Sequence, residues 1–118
     1  MRLIGAVLTG LLACGWATAA TADCGMPPYE KPVIPDGGQA DRDQMRSAVS
    51  EVKTFSDRVD QYLNCMDGRG AQVLPYMTKE QQQRWDEDLD TIHNDRVELQ
   101  KSMNEQIRAY NTRVNEQS

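Results

Sequence analysis

The chain is poor in the residues that carry chemistry. It has one histidine, one phenylalanine and only 6% aromatic residues. His93 has no serine or cysteine partner near it in the sequence, so the pairing that activates a nucleophile is missing. There is no basic stripe either. Asp and Glu number 18 against 13 Lys and Arg, a net charge of −5, and such a chain repels nucleic acid and anionic lipid. No apolar run reaches the about 20 residues that a membrane-spanning helix needs. No internal repeat occurs, and neither Gly nor Pro interrupts residues 78–118. The expectation is a protein that is not an enzyme, holds no cofactor and binds no nucleic acid.

The N-terminus carries an export pattern. Met1-Arg2 is short and positive, and Leu3, Ile4, Val7, Leu8, Leu11 and Leu12 form an apolar run ending near Trp16. Small residues follow, and Ala20-Thr21-Ala22 has the small-x-small spacing of a cleavage site before Asp23. Residues 1–22 are therefore read as a signal peptide, and the mature chain as periplasmic or secreted. An alternative stays open. Leu11-Leu12-Ala13-Cys14 resembles a lipobox, which would leave a lipoprotein anchored to a membrane through Cys14. Only Arg2 leaves with the signal, so the mature net charge falls by one.

The remaining chain of about 96 residues is one small domain, and one this small has little core to hold it. Two cysteines remain, Cys24 and Cys65, and an even count in an exported chain reads as a disulfide. The loop it closes is worth roughly 4 kcal/mol in the chain-entropy picture.

Residues 23–40 hold Pro27, Pro28, Pro32 and Pro35 with Gly25, Gly37 and Gly38. That density favours an extended arm and forbids helix, and Pro35-Asp36-Gly37 signals a turn. Residues 41–118 are expected to be helical. Asp41 with Gln44, and Thr78 with Gln81, are two capping boxes. Between them Met45, Val52, Val59 and Met66 repeat every seven residues. Ala48, Phe55 and Tyr62 lie three further on, forming a coiled-coil-like seam that Val49 and Leu63 broaden.

Gly68 and Gly70 are expected to end the first helix, giving helices of about 41–66 and 78–115. In the second, Trp85, Leu89, Ile92, Leu99, Met103, Ile107, Tyr110 and Val114 share one stripe. The connector is short, so the fold class is all-α: an antiparallel helical hairpin preceded by a Pro-rich arm. Cys65 lies off the apolar stripe, so the arm must run back along the first helix to bring Cys24 to it.

Three groups of residues are candidate sites. Asp86, Asp90 and His93 share a helix face and form a weak candidate for a metal, although one helix supplies half a site at most. The disulfide Cys24–Cys65 is the structural site. The expected pairing of the two helices ends near Asn104, leaving Ile107, Tyr110 and Val114 beyond it. Something has to cover them, either Val33 and Ile34 of the arm or a second chain; the second chain is favoured, as a protein partner or by self-association, with Tyr110 as anchor.

Two resemblances bear on function. Met77-Thr78-Lys79-Glu80-Gln81 resembles the LTxxQ motif of periplasmic helical chaperones, small exported proteins that bind unfolded clients. The same residues also read as a capping box. Cys24-x-x-Pro27, Pro35-Asp36-Gly37, Tyr62-Leu63-x-Cys65 and Tyr110-Asn111-x-x-Val114 resemble a group of short exported proteobacterial proteins without assigned function. The resemblance implies a bacterial, periplasmic setting and brings no activity. Two readings follow: an interaction or structural module of the bacterial envelope, or a stress chaperone or metal-responsive accessory protein.

Overall fold

The computed structural model describes residues 24–117. The expected signal peptide, Cys14 and the cleavage point before Asp23 lie outside them.

Two helices account for most of the described chain. Helix α1 is Arg42–Val73, a 3-10 turn follows at Leu74–Tyr76, and helix α2 is Lys79–Glu116. Both start on the expected capping boxes. Asp41 Oδ1 accepts from the Gln44 N–H at 2.8 Å, while Gln44 Oε1 accepts from the Asp41 N–H at 2.9 Å. Thr78 and Gln81 make the reciprocal pair at 3.2 and 3.0 Å. Each box satisfies amide donors that the first helical turn leaves without partners.

Helix α1 does not stop at Gly68; it runs seven residues past Met66, to Val73. A glycine ends a helix by turning left-handed, and among the described glycines only Gly25 has a positive φ, 76°. Gly70 is buried instead. A Cβ there would sit 3.3 Å from Leu74 Cδ1 and 3.5 Å from the Trp85 ring, so the bare backbone is where the indole of α2 packs. The penalty for a helical glycine, about 1 kcal/mol, is small beside continuing the seam. The helix ends where Pro75 has no N–H to continue the ladder. Gln82 Nε2 then caps the frayed end, donating to the Leu74 carbonyl at 2.9 Å.

The two helices pack as an antiparallel hairpin. Met45, Ala48, Val52, Phe55 and Val59 of α1 are buried against Ile92, Leu99 and Met103 of α2, with Val59 fully enclosed. Two polar pairs flank the seam and fix its register. Gln100 Nε2 donates to Ser56 Oγ at 3.1 Å, and Arg96 pairs with Asp60. The residue numbers in both pairs add to the same total, so any position on one helix can be placed level with a position on the other.

The arm lies along one side of this hairpin. The Cys24–Cys65 disulfide holds its start, with Cα atoms 5.7 Å apart. Lys31 Nζ reaches Asp95 of α2 at 3.3 Å, and Ile34 packs against the core. The Asp36 carbonyl then accepts from the Gln39 and Ala40 N–H groups at 3.0 and 2.8 Å, closing the expected turn. The turn rests directly on α2. Gly37 donates its N–H to Gln106 Oε1 at 2.9 Å, and a Cβ on Gly37 would fall 1.9 Å from the Gln106 carbonyl oxygen. Only glycine fits so close an approach. Arg113 closes the layer by donating to the Ala40 carbonyl.

Candidate interaction surface

The arm divides the hairpin into a covered side and an open one. On the covered side Glu30, Lys31 and Pro32 lie over Ser50, Thr54, Phe55 and Arg58. On the open side a groove of about 580 Å³ runs between the helices near their open end. Met45, Val49, Ile107 and Tyr110 form its apolar part, and Arg42, Arg46 and Lys53 are its charged residues. No arm residue lines it. Every charged side chain of the groove is thus a cation, in a chain whose net charge is −5. Val49 is 43% exposed, so the broad stripe read from the sequence is only partly buried.

The expected partner anchors sit differently from the expectation. Because α1 runs to Val73, its pairing with α2 extends past Asn104 and takes in Ile107 and Tyr110. Both pack against the hairpin's own core. The Arg113 guanidinium lies 5.4 Å from the Tyr110 ring centroid, a cation–π contact that holds the ring. Val114 remains 39% exposed. Ile107 and Tyr110 therefore do not project beyond the pairing; they are half-buried and form one wall of the open groove.

Asp86, Asp90 and His93 stay exposed on α2. Among the described residues no group of three or more His, Cys, Asp and Glu is placed to hold a metal ion. His93 Nδ1 lies 3.0 Å from Arg96 Nη2. A guanidinium only donates, so Nδ1 accepts there, and the adjacent cation opposes a metal. The spacing of these residues matters in another way. Asp86, Asp90, His93 and Val97 recur at helical intervals along one side of α2, and heptads from Val97 continue through Asn104 to Asn111. Asn111 lines the groove. Asp90, two residues before the buried Ile92, lies about 160° from it round the helix, so these carboxylates sit toward the outer edge of α2 near the end where the helices are joined.

Thr78 and Gln81, the fixed positions of the LTxxQ-like stretch, are both engaged in the α2 capping box. Among the described residues no helix is long and apolar enough to cross a membrane. No protein-family model matches the chain, and no curated protein or solved structure matches it significantly.

Proposed function

We propose that the mature protein is a non-enzymatic helical interaction module of the bacterial envelope, periplasmic or secreted, acting through its arm-free face. The observation that carries this reading is the asymmetry of the hairpin. One side is closed by a disulfide-held arm, and the other keeps an apolar groove rimmed by Arg42, Arg46 and Lys53. A monomer that needed only to be stable would gain by covering both sides. The Cys24–Cys65 bond fits an oxidising compartment, and the export pattern of residues 1–22 supports the same setting.

Site-specific photo-cross-linking in cells tests it. A cross-linker at Val49, in the open groove, is expected to give a discrete protein adduct. One at Glu51, which lines hollows beneath the arm, is expected to give little. Absence of any adduct from Val49 rejects the reading. Suppression of client aggregation by the purified protein would instead favour a chaperone.

A further inference from the structure

Three cations stand on the open face where the local rules of a helix disfavour them. Arg42 opens α1, a position where the helix dipole favours an acid. Arg42 and Arg46 are like charges four residues apart, which weakens a helix. The acid of that first turn, Asp43, follows the rule, but it lines a hollow with Val33 and Pro35 of the arm. Lys53 continues the row, so Arg42, Arg46, Val49 and Lys53 recur at helical intervals down one edge of the groove. Among the described residues none of the three cations makes an ion pair, although acids outnumber bases 18 to 13 in the chain. A local rule broken without gain inside the chain marks a functional position. We infer that the groove receives an acidic amphipathic helix from another protein. The inference rests on the reading of the protein as an interaction module and gives the chemistry of its partner.

Shape and charge together define that helix. Both walls of the groove are helices, whose backbone groups are already bonded, so an extended segment finds no edge to pair with. A helix carries its own backbone bonds and needs only an apolar ridge, with anchors at i, i+3 or i+4, and i+7. Met45, Val49, Ile107 and Tyr110 are the apolar surface that such a ridge would meet. Seated there, it adds a third helix to a two-helix layer, opposite the arm. Its charge is one-sided. From Arg42 to Lys53 the row of cations runs about 16 Å along α1, or three turns. The α2 wall offers only Ile107, Tyr110 and Asn111, none of them charged at neutral pH. The partner's carboxylates therefore lie along the edge above α1, spaced over about three turns, and its other edge is uncharged. A membrane surface fits less well, because the site is a slot and the acidic chain as a whole repels anionic lipid.

Titration of the mature protein with two designed amphipathic helices tests the inference. Both have about 18 residues, beyond the length at which isolated helices are marginal, and the same leucine ridge. One carries glutamate along one edge, the other lysine at the same positions. The glutamate peptide is expected to bind at least about tenfold more tightly, with the advantage shrinking as salt rises. Arg46→Glu with Lys53→Glu is expected to reverse that preference. Arg84→Glu with Lys101→Glu makes the same charge change away from the groove and is expected to leave the preference as it was. Circular dichroism of each variant checks that the helices persist. A glutamate peptide that does not bind, equal affinity for the two peptides, or a preference that survives the groove reversal overturns the inference. So does binding of phosphatidylglycerol vesicles in place of the peptides, or a wild type whose groove is filled by a second copy. The Val49 cross-linker separates this inference from the wider reading. A Val49 adduct to a protein segment without such carboxylates removes the acidic helix and leaves the interaction module standing. A chain that gives no Val49 adduct of any kind removes the module as well.

Discussion

The two sides of the hairpin are built from the same two helices and share one core, yet they are finished in different ways. The covered side is tied at three levels: a covalent bond at Cys24–Cys65, an ion pair at Lys31–Asp95, and backbone contact at Gly37 on Gln106. The open side has the Arg96–Asp60 and Gln100–Ser56 pairs near mid-length, then the groove with half-exposed Val49 and three cations toward its open end. A two-helix layer buries too little apolar surface to be secure alone. The arm supplies the third layer on one side, which frees the other from a purely structural duty.

This contrast can be broken most severely at the disulfide. Removing both thiols with Cys24→Ser and Cys65→Ser releases the start of the arm. The loop-closure estimate puts the loss at about 4 kcal/mol. Thermal melting should fall by more than about 15 °C, since each kcal/mol shifts a domain of this size by about 4–8 °C. A melting point within a few degrees of wild type would mean that the arm is held by its other contacts. Gly37→Ala comes next. Its new Cβ has only backbone to meet on α2, so the turn must lift and surrender its bond to Gln106. The expected loss is about 1–3 kcal/mol, seen as a lower denaturant midpoint. Gly38→Ala is the control, because its Cβ would meet only the Asp36 side chain. Equal losses at the two glycines would show that the close approach to α2 is not what matters. The smallest effect belongs to the open side. Val49→Ser should change stability by no more than about 0.5 kcal/mol, while diminishing any association through the groove. A large loss of stability there would make Val49 part of the core after all.

The local rules of the sequence were legible where they concern a few neighbouring residues. The Asp41–Gln44 and Thr78–Gln81 boxes, the Met45–Val52–Val59 heptads and the Asp36 turn each depend on short spacings, and each forms in the structure. The Cys24–Cys65 pairing followed from counting and from the arm's reach. What was misread depends on contacts between distant segments. Gly68 and Gly70 carry a stop signal by propensity, but Gly70 is buried inside the helix beside Leu74 and Trp85. That single misplacement shortened α1, shifted the end of its pairing, and left Ile107 and Tyr110 seemingly uncovered. The close approach of Gly37 to α2 at Gln106 has no local signature at all. The groove was illegible for the same reason: its existence depends on which side the arm takes.

The disulfide also decides how the molecule bears load. A chain pulled from the segment ahead of Cys24 does not peel the arm away, because the tension passes straight through the sulfur bridge into α1 at Cys65. The arm and the first three-quarters of α1 are bypassed and hang slack in the mechanical circuit. Reduction of the bridge would put the arm in series with the pull, its 17 residues from Cys24 to Ala40 adding up to about 60 Å of extensible length. Oxidised, the hairpin is a stiff strut gripped part-way along its side; reduced, it is a rod at the end of a long leash.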